Sequence, residues 1–392
     1  MISPAEALEH IRNVAYPLPP VTRPVSRALG QILAQPAKAR NPVPLYDVAA
    51  MDGYALRLEG AGKTLPVAFI VKAGESPPPL PPGTCARVFT GALIPAGAEA
   101  VVAQEDVLRR GQDAEFPASI RKGLHIRKAG EICQPGEVLL QEGSELTPKA
   151  LALLLAAGIR SASLFPKPKV AVVATGSELT RGKPARGQIV DTNTPMLAGM
   201  LSRKPVELVC KMHAGDSPES LREALSRALE RADFLITTGG VSVGDFDLLP
   251  QLVAALGGEV LFHKVAMQPG KPILAARFGE KCLLGLPGNP VSALVGFTLF
   301  ADPWLRALAG DPQAFAVSWQ PFPLSKPVTN RGHRHQFLPA VVNQHPDGPR
   351  ISPVPWKGSH DLRATTIATH LMHLPPGFSG QRGDLVQGLA IF

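Results

Sequence analysis

The residues with most to offer a reaction stand in short glycine-bearing stretches between apolar runs. Thr238-Gly239-Gly240-Val241-Ser242-Val243-Gly244-Asp245 is the richest, and Asp247 follows two residues on. Paired glycines let backbone approach a ligand closely, and successive N–H groups can form a nest for an anion. Ser242 adds a hydroxyl, and Asp245 with Asp247 could hold a divalent cation. A plain glycine turn with Asp245 capping the next helix fits the same residues. Leu286-Pro287-Gly288-Asn289-Pro290 ends a strand and opens a helix. There Asn289 is placed to cap and Pro290 suits the first turn, which aims free N–H groups at a phosphate or simply starts a helix. Thr175-Gly176-Ser177-Glu178, Gly215-Asp216 and Gln268-Pro269-Gly270-Lys271-Pro272 bring further glycines, hydroxyls and single charges.

Other phosphate motifs fail on spacing. No glycine stands five residues before Gly270, Pro272 replaces the Ser/Thr of a P-loop, and no GxGxxG occurs. Nucleoside triphosphate and dinucleotide readings are weak for that reason. Glu178, Asp191, Asp216 and Asp247 each read alone as a cap or a solvated charge. Gathered at phosphate-binding loops in a net-basic chain, they suggest Mg2+ bridging to phosphate, with Lys264 and Lys271 offsetting oxyanion charge. Asp52, in Ala50-Met51-Asp52-Gly53-Tyr54-Ala55, lies elsewhere and also suits a turn beside Gly53.

The elements that must position these residues follow from pattern. Val170 to Ala174 is a continuous apolar run, the mark of a strand covered on both faces. Strands at 206–211, 234–237, 260–265, 273–276 and 283–286 alternate with helices at 194–202, 217–231, 248–256 and 290–308. That alternation predicts an α/β domain with a doubly wound, mostly parallel sheet, whose ligands bind beyond the carboxyl ends of the strands. All the loops above fall at those ends. Ser3, Pro4 and Glu6 announce a first helix with Ala7, Ile11 and Val14 on its apolar face, and Thr147-Pro148 starts another that stops at Gly158. Short apolar runs broken by Pro and Gly make 41–128 a β-rich domain. Beyond Asp311 the helical pattern stops, and runs such as Phe337 to Val342 suggest a small C-terminal β-barrel over 311–392. The α/β domain takes 166–310, and 1–40 with 129–165 remain as a linking domain.

Composition removes other classes. The 392 residues carry a formal net charge of +8, with 45% hydrophobic and 18% charged residues, so real cores are expected and disorder is not. Gly 37 and Pro 41 imply many turns. Basic residues are dispersed and aromatics are only 5%, which excludes a nucleic-acid platform and favours small anionic ligands. No apolar run is expected to span a membrane, and the N-terminus lacks the pattern of a signal peptide. Cys85, Cys133, Cys210 and Cys282 stand far apart without CxxC spacing, as expected of thiols in a reducing cytoplasm.

Taken together, the motifs resemble the molybdopterin molybdenumtransferase (MoeA-type molybdate insertase) family, related to the E region of gephyrin. The likeness runs through 41–44, 50–55, 89–92, 126–131, 175–179, 187–193, 238–247, 269–272 and 286–292, nearly the whole chain in one order. It implies insertion of molybdate into adenylylated molybdopterin, with AMP released and Mg2+ assisting. It also implies an elongated linking domain and a homodimer, each site joining the α/β domain of one subunit to the β-rich domain of its partner. Upstream, a molybdopterin adenylyltransferase would deliver substrate; downstream, molybdoenzyme-maturation proteins would receive product. The resemblance carries Asp52, Thr90, Arg127, Glu178, Asp216, Asp247, Lys264, Pro287 and Pro290 into the site. Asp216 and Asp247 would position the cation or the phosphate bridge, Lys264 and Lys271 would stabilise anionic oxygens, and Glu178 and Asp52 would position pterin, metal or attacking groups. The chain departs from the pattern at Ile132, where a carboxylate is expected, at Gln268, where a basic residue is frequent, and at His360, where a small residue is more familiar. Ile132 and Gln268 also suit a non-catalytic molybdopterin-binding scaffold or carrier, and the loops alone also suit a hydrolase of other phosphoanhydrides.

Overall fold

In a computed structural model that describes residues 1–240 and 248–391, the chain divides into two compact units, Thr22–Leu164 and Met1–Val21 with Phe165–Phe392. Apolar runs build the main sheet of the second. Its strands are Lys169–Thr175 (β1), Glu207–Ala214 (β2), Phe234–Thr238 (β3), Glu259–His263 (β4), Leu274–Phe278 (β5) and Lys281–Leu286 (β6), ordered β2-β1-β3-β6-β5-β4. β1 pairs in parallel with β2 and β3, and β3 with β6. β5 runs antiparallel to both β6 and β4, so the sheet is mixed, with a parallel half and an antiparallel half. The physical reason is linker length: only Gly279 and Glu280 join β5 to β6, too few for a crossover helix.

Alternate residues of β1 enter different cores, as a period of two requires. Val170 and Val172 face the side that also holds Leu197, Leu201, Phe297 and Trp304, whereas Ala171 and Val173 face Leu221, Leu225, Leu249 and Val253. The first side is covered by Pro4–Arg12 (α1), Asn193–Leu201 (α2) and Pro290–Gly296 (α5), the second by Pro218–Arg231 (α3) and Leu249–Ala255 (α4). Cover on both faces explains why β1 carries no polar residue between Lys169 and Thr175. α1 closes its first turn with a reciprocal capping box between Ser3 and Glu6. Its Ala7 and Ile11 enter the α/β core, which is why residues 1–21 group with that unit and not with 129–165.

The run from Pro290 to Leu308 is interrupted. A π-helical turn, Phe297–Ala301, separates α5 from the helix Asp302–Leu308. Pro303 has no N–H to offer the carbonyl of Leu299 four residues back, and the Thr298 hydroxyl bonds the Leu294 carbonyl at 2.9 Å, so the regular ladder is broken at this point. The expectation that no run could span a membrane is corrected here. Among the described residues Pro290–Leu308 is long and apolar enough by composition, and 83% of it is buried inside the protein, as a core helix.

A second sheet in this unit takes Gln320–Pro323, His335–His345, Gly348–Pro353, His370–Leu374 and Leu385–Ala390, and it recruits Met267–Gln268 as a strand parallel to His335–His345. A short helix, Leu362–Ile367, stands among these strands, capped by Asp361 through a 3.2 Å bond from the Ala364 N–H. The other unit centres on a six-stranded sheet that includes Gly53–Leu56, Thr64–Val71, Cys85–Val88 and Ala100–Ala103. Its helix Pro148–Ala156 is capped by Thr147, and Gly158 follows at φ +80°.

Within the C-terminal sheet His335 Nδ1 and His373 Nε2 lie 2.9 Å apart, and Phe337 stacks on His373 with ring centroids 4.9 Å apart. Burial, with His335 adding to it, pushes His373 down to about 4, and burial also lowers His335. The fold therefore favours neutral rings, while the unfolded chain takes up protons below the ordinary histidine value of 6.5. Stability is lost as pH falls from that value towards about 4. The thermal midpoint should drop across this window, and His373→Phe, which keeps the stack, should drop less; equal slopes would show that this pair is not the proton uptake site.

Candidate active site

Strand register decides which loops meet. Ala174 pairs with Thr238, Thr238 with Leu286, and Thr175 with Ala214, so four parallel strands end at one edge. The antiparallel strands bring the start of β5 and the end of β4 to that edge too, because Leu274 pairs with both Gly285 and His263. The glycine loops thus share one side of the sheet. A cavity of about 450 Å³ opens among them.

The floor is set by close backbone approach. Gly239 has φ +86°, and its N–H donates to the Leu286 carbonyl at 3.0 Å. A Cβ at Gly239 would lie 2.6 Å from Thr175 Oγ1 and 2.7 Å from the Thr175 carbonyl oxygen, so only glycine fits. Thr175 Oγ1 donates to the Thr238 carbonyl at 3.1 Å, which joins the ends of β1 and β3. Gly288 faces Gly239 with more room: a Cβ at Gly288 would lie 3.8 Å from the Gly239 Cα, an ordinary contact distance. Asn193, at the start of α2, donates from Nδ2 to the Gly288 carbonyl at 2.7 Å. Its Oδ1 is buried and has no hydrogen-bond partner among the described residues.

Carboxylates line one side. Asp216 Oδ2 accepts the Ser177 N–H at 2.8 Å, and the Asp216 N–H donates to Ser177 Oγ at 3.1 Å. This reciprocal pair ties the loop after β1 to the loop after β2 and leaves Asp216 Oδ1 for other partners. Glu178 curls over Gly176, where its carboxylate occupies the space of a β-carbon. Asp191 is 8% exposed and caps α2 by accepting the Thr194 N–H at 3.0 Å. Thr175, Gly176, Glu178, Asp191, Asn193, Asp216, Thr238, Gly239, Gly240, Gly288, Asn289, Pro290 and His360 all line the cavity.

Several expected residues stand apart. Ser242, Gly244, Asp245 and Asp247 lie outside the described residues. Lys264 and Lys271 sit at the same edge of the sheet but do not line the cavity, because β5 separates their loop from β6. Lys264 adopts φ +73°, and its N–H donates to the Ile273 carbonyl at 2.9 Å. Pro287, next to lining Gly288, is not itself part of the wall. Asn289 occupies the cap position of α5, yet its side chain makes no capping bond, contrary to the sequence expectation; its polar end remains available to a ligand. Among the described residues no three His, Cys, Asp or Glu side chains form a metal cage.

Asp52, Thr90 and Arg127 belong to the other unit. Asp52 Oδ1 accepts both the Thr90 N–H, at 2.7 Å, and the Thr90 hydroxyl, at 2.8 Å. These bonds hold the Asp52 carboxyl below its usual range. Thr90-Gly91 is anchored beside them by the Gly91 N–H to the Ala49 carbonyl, and Arg127 is exposed on Ile126–Arg127, the strand paired with Val48–Ala49. Ile132 is 64% exposed, an apolar surface where a carboxylate was expected. Sequence reasoning did not place Asn193 or His360 in the site. Asp191 held the clue to Asn193, since a cap at that position puts Asn193 at the mouth of α2.

Comparison with known proteins shows the family. Residues 2–158 match the family described as the MoeA N-terminal region (domain I and II), and residues 171–307 match a probable molybdopterin binding domain. Molybdopterin molybdenumtransferase 2 of Mycobacterium tuberculosis is 36% identical over 385 residues, covering 94% of each chain. The chain belongs to the molybdopterin molybdenumtransferase family. The Staphylococcus aureus molybdopterin molybdenumtransferase is 32% identical over 390 residues, 96% of this chain and 92% of its own. Among solved structures, a molybdopterin biosynthesis MoeA protein from Pyrococcus horikoshii superposes with a TM-score of 0.81 at 31% identity, covering 100% of this chain and 99% of that one.

Gly239 and Gly288 are expected to respond differently to a methyl group. Gly239→Ala should cost about 1–3 kcal/mol in unfolding free energy, from a strained φ and a clash with Thr175. Gly288→Ala should change stability little. Denaturant unfolding of both variants checks the contrast, and similar losses would show that the Gly239–Thr175 approach is not a constraint.

Proposed function

We propose that this chain inserts molybdate into adenylylated molybdopterin, releasing AMP with the help of Mg2+, as a step in molybdenum cofactor biosynthesis. The reading is carried by one observation: glycine loops from separate strands of a family-matched molybdopterin-binding domain converge with Asp216 and Glu178 on a single cavity. The backbone at Gly240, where φ is +68°, can bring an amide donor within reach of a phosphate oxygen, the Gly239 N–H being bonded to the Leu286 carbonyl. Asn289 and Asn193 offer amide groups that can orient a polar ligand. Asp216, held by Ser177, and Asp247 would hold Mg2+, which when bound offsets negative charge between phosphate and oxyanion. Glu178 is placed to position the pterin or the incoming oxyanion. Lys264 and Lys271 stand one strand away, where they raise the positive potential met by an arriving anion.

Asp52, Thr90 and Arg127 complete the site from the partner subunit of a homodimer in this reading. The Asp52 carboxylate, kept ionised by two Thr90 donors, serves there as a fixed acceptor. The protein works in the cytoplasm, taking substrate from a molybdopterin adenylyltransferase and passing product to molybdoenzyme-maturation proteins.

Purified protein given adenylylated molybdopterin, molybdate and Mg2+ should release AMP, and Asp216→Ala should reduce the rate at least tenfold; folded protein that releases none refutes the activity. Sharing of the site between subunits has its own test. Asp52→Ala and Asp216→Ala proteins, each inactive alone, should regain activity when mixed and allowed to exchange subunits, since one site of each mixed dimer is then intact. A site built within one subunit would leave the mixture inactive.

A further inference from the structure

His360 lines the cavity, although it lies some seventy residues beyond the last glycine loop in sequence. Its backbone is fixed from both directions. The Val291 N–H donates to the Ser359 carbonyl at 3.0 Å, tying the segment to the first turn of α5. Asp361 locks the other side: Oδ2 accepts the Lys357 N–H at 2.9 Å while Oδ1 caps the helix Leu362–Ile367. The Asp361 N–H returns to the Gly358 carbonyl at 3.0 Å, and Gly358 has φ +108°. Four consecutive residues are thereby held in a tight turn against the cavity wall.

The ring itself is uncommitted. It is exposed and makes no hydrogen bond among the described residues, and neighbouring Asp361, which lies within charge-interaction range of it, is engaged in capping its own helix. Every other charged side chain on the described lining is acidic: Glu178, Asp191 and Asp216. No lysine or arginine reaches the described wall. On the described wall, a phosphate-bearing ligand finds donors in backbone N–H groups, in side-chain amides and in this imidazole. An imidazole carries an N–H donor in either protonation state, and a positive charge when protonated. Asn193, 7% exposed with Oδ1 unpartnered, independently marks the same cavity as built for a polar ligand.

We infer that His360 is a ligand-binding residue of this cavity, donating a ring N–H to an anionic oxygen of the phosphate-bearing substrate. The inference rests on the site's being the one proposed above for adenylylated molybdopterin. It assigns to the segment between the C-terminal strands a direct hold on substrate, beyond its packing on α5.

The experiment uses the full chain and adenylylated molybdopterin as the probe, with Kd from fluorescence titration at low and moderate salt and KM and kcat from AMP release. His360→Ala should raise Kd and KM about tenfold, the scale of a hydrogen bond to a charged group, with kcat nearly unchanged and a weaker dependence of Kd on salt. His360→Gln, which keeps an N–H donor at similar reach, should recover most of the affinity. Lys357→Ala, a nearby cation off the cavity wall, should bind as wild type. Thermal midpoints equal to wild type show that the fold is kept. Wild type that fails to bind the probe overturns the substrate reading. Wild type that binds, with His360→Ala binding equally well, overturns the role of His360 alone. Equal losses in the Ala and Gln variants overturn the donor role.

Discussion

The site depends on how closely two parallel strands are allowed to approach at their ends. Gly239 lies against Thr175 at a distance that no side chain can share, and the Thr175 hydroxyl bonds the Thr238 carbonyl across the same gap. Because β1 and β3 are fixed in register by their ladder, this contact determines where both following loops begin. The Gly239 N–H to Leu286 carbonyl bond extends the same constraint to β6. Once three strand ends are aligned, Gly240, Gly288 and Asn289 have little freedom to be anywhere but around one cavity.

Charge is distributed against first intuition. The chain is net basic, yet the described wall of this cavity holds three carboxylates and no lysine or arginine. Two of those carboxylates are already at work within the protein. Asp216 braces Ser177, and Asp191 caps α2. Those bonds fix both side chains on the wall as acceptors.

Much of this could be read from residue order because the local rules agree with the fold. The unbroken apolar run at 170–174 became a central strand, Ser217-Pro218 opened a helix with the Ser220 N–H on Ser217 Oγ, and Ser3 with Glu6 closed the first turn. The convergence of loops on one edge followed from strand–helix alternation. What alternation could not show was strand order, and strand order is what leaves Lys264 and Lys271 off the wall. The antiparallel half of the sheet was hidden because a two-residue turn at Gly279 leaves no stronger mark than a loop. The π-helical turn arises from Pro303 acting on a carbonyl four residues earlier, inside an otherwise regular apolar period. Asn289 had the residue type of a cap but left its side chain free, and His360 reached the cavity through a backbone bond to Val291 that no spacing rule encodes.

The pairing of Met267–Gln268 with His335–His345 has a structural corollary. Those two residues are the outermost strand of the C-terminal sheet while belonging in sequence to the lysine loop. A chain ending near residue 310 would strip that strand of its ladder and bare an edge able to zip onto another molecule. The terminal sheet is thus a fastening for the α/β half, not a detachable appendix.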